Sequence, residues 1–303
     1  MKLTLSQSRV LSAWLFILPM LIVLVSVAGW PLMRTLWMAF TDARLDAFHV
    51  PQWIGLENFI VQYGDNWFGI LADPIWWNAV RNTLYFTIVS VFFTTILGTI
   101  IALVLDTPFK GRTILRASVL IPWAIPSIIS AKMWAWILHD QFGIFNSILM
   151  SIGWIDAPKA WTADATLAMH AIIFIEIWRS APFMALLILA GLQMVPKDCY
   201  EAAKVDGIPA WLVFWKVTLP LIMPAITVAV IFRILDGMRV FDLIYVLTPN
   251  NEQTMSMASY ARQHMIEFQS AGYGSAASTL LFFMVSLVTI GYIAISKKKL
   301  EVQ

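Results

Sequence analysis

Long apolar runs alternate with short polar segments along this chain. Six runs, at about 11–40, 79–105, 113–138, 166–194, 218–247 and 275–296, are each long enough to cross a hydrocarbon core, which takes roughly 20 apolar residues at helical rise. Lipid offers no water to backbone groups, so these runs predict helices. A membrane β-barrel would show alternating segments of about 10 residues instead, and that pattern does not fit. Composition agrees: 60% of the 303 residues are hydrophobic and 13% charged, where a soluble domain carries about 25% charge. The expected fold class is an all-α integral membrane protein with six transmembrane helices, a single domain over 1–303.

The first run follows Lys2 and Arg9. It is longer than the roughly 7–15 residues of a signal-peptide core, and no small-residue cleavage pattern precedes Trp30-Pro31, so it reads as a retained helix. A lone Cys199 cannot form a disulfide within the chain, and no CxxC or His/Cys cluster suggests a metal site.

The basic residues orient the helices. With both termini cytoplasmic, the inner segments hold Lys2, Arg9, Lys110, Arg112, Arg116, Lys197, Lys204, Lys216 and Lys297 to Lys299, while the outer loops hold only Arg44, Lys159 and Arg262. That bias places both ends in the cytoplasm. The outer loops are rich in tryptophan: Trp53, Trp67, Trp76 and Trp77 in the first, Trp154 and Trp161 in the second. These predict an interfacial aromatic belt, with a docking surface as the other reading.

This topology puts 196–217 inside the cell as the larger cytoplasmic loop. Asp198 and Glu201 are spaced to cap a short helix starting near Cys199. Gly207 suits the left-handed position that ends it, and Pro209 starts a second helix running through Trp211 to Trp215. Two readings fit: a connector anchored on headgroups by Trp211, Phe214 and Trp215, or a rigid knob for a cytoplasmic partner.

The pattern Glu201-Ala202-Ala203, then Gly207, then Val217-x-Leu219-Pro220 resembles the EAA motif of ABC importer permeases, with valine in place of isoleucine. The stretches ILRASVLIPWAIPS at 114–127 and FRILDGMRVFDLIYVLT at 232–248 resemble the sugar-uptake branch, which includes maltose and trehalose permeases. The resemblance covers most of the chain from about residue 79. It implies that 196–217 carries a coupling helix between helices 4 and 5, with Glu201, Ala202, Ala203, Asp206 and Gly207 meeting an ATPase subunit. It also implies a second permease subunit, two ATP-binding subunits and an extracytoplasmic sugar-binding protein, in the bacterial cytoplasmic (inner) membrane. Membrane lipid is the remaining partner, and no nucleic acid is expected.

Charge inside the spans needs a reason, because each such residue costs a few kcal/mol at mid-bilayer. Lys132, Glu176, Arg179, Arg233, Asp236, Arg239 and Asp242 fall there. The last four alternate in sign at steps of three, so neighbours can touch. On one helix they would wind halfway round it, each step turning about 60°. Either the ladder neutralises itself for packing, or some members hydrogen-bond sugar hydroxyls along a path. Glu176, Trp178, Arg233, Asp236, Arg239 and Asp242 are the candidates, Glu176 as a neutralising partner for arginine and Trp178 as a stacking surface or simple packing. Pro122 and Pro126 interrupt the third run, Pro182 the fourth, and Pro220 and Pro224 enter the fifth, as bends around a cavity would require.

No GxxxxGKS/T loop is present, so ATP and Mg belong to a partner and this chain carries no cofactor. A self-sufficient secondary transporter commonly shows repeated halves, and no convincing repeat exists. A membrane enzyme would need a nucleophile or metal constellation, but His49, His139, His170 and His264 are scattered. The expected function is the non-enzymatic permease of an ATP-driven importer, carrying a di- or oligosaccharide such as trehalose or a maltose-like sugar. Glycerol phosphate and other polyols are the alternative cargo.

Overall fold

A computed structural model describes residues 5–46, 50–164 and 166–300. Lys2 and His49 lie outside the described residues, as do the side chains of Lys297 to Lys299. Among the described residues five helices are long and apolar enough to cross a membrane: Leu11–Met38, Pro74–Asp106, Leu167–Leu192, Ala210–Met238 and Ala271–Ser296. The helices Arg112–Ala124 and Ser127–Ile137, bent by 90° at their junction, make a sixth candidate when counted as one span. The chain divides into two compact units, Met1–Asp73 with Ala261–Leu280 and Pro74–Tyr260 with Leu281–Gln303.

The first unit begins with α1 (Leu5–Leu24), which passes through a π-helical turn at Val25–Gly29 into α2 (Trp30–Met38). Its apolar side chains, Phe16 and Val27 among them, stand exposed along the helix, as lipid-facing residues would. A hairpin follows, β1 (Val61–Tyr63) antiparallel to β2 (Asn66–Phe68), with Val61 opposite Phe68. Asn58 ties this loop down, its amide donating to the Ala39 and Thr41 carbonyls at 3.0 and 2.9 Å. The backbone N–H of Gly272 donates to Ala43 at 2.7 Å. A Cβ on Gly272 would collide with the Thr41 carbonyl, so only glycine permits that approach.

The second unit is built on α3 (Pro74–Asp106), followed by α4 (Arg112–Val119), α5 (Ile121–Ala124), α6 (Ser127–Ile137) and α7 (Ile144–Ser151). Next come α8 (Leu167–Leu192), α9 (Lys197–Val205) and α10 (Ala210–Val213), then a π-helical turn at Phe214–Thr218 leading into α11 (Leu219–Met238). The short helices α12 (Asp242–Leu247) and α13 (Met257–Arg262) precede α14 (Ala271–Leu300), whose residues from Leu281 onward belong to this unit. Helices α3, α8 and α11 share one core, with Ala102, Met184, Ile188, Leu192, Ile222 and Ala229 buried together. Small residues set the spacing: a Cβ on Gly191 would lie 2.4 Å from that of Ala225, and one on Gly98 would lie 2.6 Å from Met184 Cγ. A second core joins α6, α8 and α12 through Ala131, Leu138, Ile172, Ile175 and Ile244. Asp164 caps the start of α8, accepting from Thr166 Oγ1 at 2.7 Å and from the Thr166 and Leu167 N–H groups at 2.8 and 3.0 Å. These donors hold its carboxyl below the usual range, Thr166 first.

The expected interruption of the third run is seen, and three other expectations change here. The third run, 113–138, is not one straight helix: it turns at Ile125-Pro126, where Ile125 is extended, because a residue preceding proline is pushed out of the helical region. The fifth run, 218–247, ends as a helix at Met238, and Arg239 and Phe241 leave helical geometry before α12 restarts the chain. The fourth is not interrupted by Pro182, which is buried inside a continuous α8, where packed neighbours tolerate the lost hydrogen bond. Trp76 is not an interfacial anchor. It is buried edge-on to Tyr260, ring centres 5.4 Å apart, whereas Trp53, Trp67, Trp77 and Trp154 are exposed.

Candidate functional site: a charged cavity at two helix breaks

On α8, Glu176, Arg179 and Ser180 stand at steps of three and four and so share a face. On α11, Arg233 and Asp236 do the same. These two faces meet at Glu176. Its Oε1 accepts from Ser180 Oγ at 2.6 Å and from Arg233 Nη2 at 2.8 Å, and its Oε2 accepts from Arg179 Nη2 at 3.0 Å and Nε at 3.2 Å. Arg233 Nη1 also donates to Asp236 Oδ2 at 3.1 Å. The side chains of Glu176 and Arg233 are 5% and 3% exposed, that of Asp236 63%. Two carboxylates and two guanidinium groups thus close into a neutral quartet with its centre buried and one carboxylate facing outward.

Beside the quartet lies a cavity of about 240 Å³. Ser127, Glu176, Arg179, Asp236, Arg239 and Asp242 supply its polar wall, and Phe86 and Phe241 add aromatic surface. It opens where both broken helices restart. Ser127 is the first residue of α6 after the bend, Asp242 the first of α12, and Ser127 Oγ donates to Asp242 Oδ2 at 2.6 Å. The Arg239 guanidinium is exposed and donates to the carbonyl of Leu235 at 3.0 Å.

Of the candidate pathway residues, the structure brings Glu176, Asp236, Arg239 and Asp242 to one cavity, with Arg233 behind it. Trp178 is elsewhere, edge-on to Trp134 with ring centres 5.4 Å apart. The ladder does not wind around one helix: the break after Met238 redirects Arg239 and Asp242. Lys132 is exposed and takes no part. Sequence reasoning missed Ser127 and Ser180. The available signal for Ser127 was its place directly after Pro126, since the residue before a proline is biased out of the helical region and a new helix can start beyond it.

The second candidate region is the 196–217 loop. Helix α9 starts at Lys197 from an extended Pro196, with no side-chain cap bond. The expected Asp198–Glu201 cap is absent because proline presets the entry, leaving Asp198 in the first turn, where a negative charge suits the helix dipole. The C-terminal turn forms as expected: Gly207 has φ +68°. Its N–H donates to Lys204 at 3.2 Å, and the Ile208 N–H donates to Ala203 at 3.0 Å, the paired bonds of a Schellman turn. Glu201, Ala202, Asp206 and Gly207 are exposed, while Ala203 faces inward. Val205 and Trp211 leave 87% and 67% of their surface uncovered.

Comparison with known proteins defines the class. Residues 94–302 match the model of the family described as binding-protein-dependent transport system inner membrane component. The chain is 38% identical over 290 residues to the trehalose/maltose transport system permease protein MalF of Thermococcus litoralis, covering 94% of this chain and 93% of that one. It is 34% identical to the trehalose transport system permease protein SugA of Mycobacterium tuberculosis, covering 93% and 87%. It is also 34% identical to the sulfoquinovosyl glycerol transport system permease protein SmoG of Agrobacterium fabrum, covering 95% and 91%. Its fold matches a chain of a bacterial ABC transporter that imports the acidic polysaccharide alginate, with TM-score 0.78 at 21% identity and 96% of each chain covered. The chain belongs to the binding-protein-dependent inner membrane components, the permease subunits of ABC importers.

Proposed function

We propose that this chain carries a di- or oligosaccharide, such as trehalose or a maltose-like sugar, across the bacterial cytoplasmic membrane by alternating access. The observation that carries the reading is the cavity at the two helix breaks. In an apolar bundle it gathers carboxylates, guanidinium groups and a hydroxyl, the groups that hydrogen-bond sugar hydroxyls. The trehalose and maltose in the names of two relatives support this cargo. On this reading Glu176, Asp236, Arg239 and Asp242 line the path, Arg233 supports them, and Trp178 packs.

The chain works as one permease domain over 1–303, pairing with a second permease subunit in a pseudo-symmetric heterodimer. Two separate subunits bind and hydrolyse ATP with Mg, and an extracytoplasmic binding protein delivers the sugar. Both termini lie in the cytoplasm, as the basic residues suggest. Helix α9 is the coupling helix: Glu201, Ala202, Asp206 and Gly207 present an exposed edge with Val205, and Ala203 packs beneath.

Glu201→Lys and Gly207→Asp test this. Both residues are exposed and a Cβ at Gly207 meets nothing within 4 Å, and the left-handed φ of +68° costs aspartate only about 1–2 kcal/mol, so each variant is expected to reach the membrane. Trehalose uptake in cells should fall about tenfold or more while the partner still hydrolyses ATP. Wild-type uptake in both variants would remove α9 from energy coupling.

A further inference from the structure

The six charges around the cavity do not contribute equally. Glu176 and Asp236 are matched by Arg179 and Arg233 within the quartet. Arg239 and Asp242 remain. Arg239 is exposed, and its guanidinium turns back to the Leu235 carbonyl of its own helix at 3.0 Å, which takes up part of its hydrogen-bonding capacity. Asp242 is half-buried, and its recorded partner is an uncharged hydroxyl, Ser127 Oγ at 2.6 Å. Charges in a less hydrated setting act more strongly. The half-buried unmatched charge facing the cavity is therefore negative.

We infer that Asp242, oriented by Ser127, makes this cavity selective for neutral, hydroxyl-rich ligands over anionic ones. A carboxylate is acceptor-only. One oxygen of Asp242 is held by Ser127, and the residue lines the cavity, where its carboxylate can accept from a ligand hydroxyl. A ligand carboxylate or sulfonate in the same place has no proton to donate and meets like charge, which disfavours it. The hydroxyl of Ser127 fixes the direction of the acceptor without neutralising it, as a guanidinium would. Both residues open helical segments, so the acceptor is set by two backbones whose geometry the breaks define.

The inference rests on the reading of the cavity as the sugar path, and the experiment separates the two. The complete transporter, purified through a tag on this chain, would be titrated with maltose and with maltobionate, its carboxylate-bearing counterpart of similar size. Wild type should bind maltose at least about tenfold more tightly than maltobionate. Asp242→Asn keeps an acceptor for Ser127 and removes the charge. Discrimination should then fall to about twofold, chiefly through tighter maltobionate binding. Ser127→Ala keeps the charge and frees the carboxylate, so maltose binding should weaken about threefold while maltobionate stays excluded. Unchanged discrimination in Asp242→Asn, with maltose binding still altered in either variant, would overturn the selectivity role and leave the cavity as the path. Wild-type binding of both ligands in both variants would overturn the path and the inference together. Thermal unfolding of each complex confirms that the variants are folded.

Discussion

Two groups of charge sit side by side in the second unit, and they are held in opposite ways. The oxygens of Glu176 take hydrogen bonds from three side chains, and Arg233 is nearly inaccessible. At the cavity rim Asp236 is mostly exposed, Arg239 bonds a backbone carbonyl, and Asp242 is held by one serine. Residues at equal spacing in one sequence ladder therefore have different surroundings. Arg233 closes a buried structure, and the three that follow face a space a ligand can enter.

Substitutions can break that contrast, and the largest effect falls at the buried centre. Arg233→Gln would leave Glu176 without its shortest ionic bond. Removing one partner of a buried pair costs about 3–5 kcal/mol, so unfolding of the detergent-solubilised protein should shift to markedly lower temperature and the yield of assembled complex should drop. An unchanged melting temperature would put Arg233 in the same class as the rim. Arg239→Gln comes next, and it should act on transport rather than folding: trehalose uptake reduced several-fold, with melting temperature and membrane abundance near wild type. Equal loss of uptake and abundance would make Arg239 a packing residue. The smallest effect belongs to Asp236→Asn. An exposed ion pair contributes about 0–1 kcal/mol, so stability should be nearly unchanged and uptake should shift only a few-fold. A stability loss rivaling Arg233→Gln would show that the quartet is held as one unit out to its exposed member.

The hairpin at 196–217 was legible in the sequence because its signals are local: Gly207 at a left-handed turn and Pro209 at the next helix start act over a few residues. The bend at Ile125-Pro126 was legible for the same reason, although its size was not. The end of α11 was hidden. Apolar residues continue through Val240, Phe241, Leu243 and Ile244, so hydropathy carries the span straight past the break. What holds the break comes from far along the chain. Ser256 Oγ donates to the Val240 carbonyl at 2.8 Å, and Ser127 reaches Asp242 across 115 positions. Local spacing cannot report such partners. The Glu176–Arg233 pair was only half legible: both charges looked in need of a partner, and the packing of α8 on α11 chose it.

The helical path that leaves the Gly207 turn has a mechanical consequence. From Ala210 the backbone stays helical through α10, the π turn and α11 to Met238, with no flexible joint between. At 1.5 Å per residue that is roughly 40 Å of continuous helix, running from an exposed hairpin to the wall of a polar cavity. A torque applied at the hairpin has no loop in which to dissipate before it reaches Asp236. Beyond the π turn at Phe214–Thr218 and the internal Pro224, the helical path ends at the break at Arg239, so a rotation carried along it would emerge at the cavity wall.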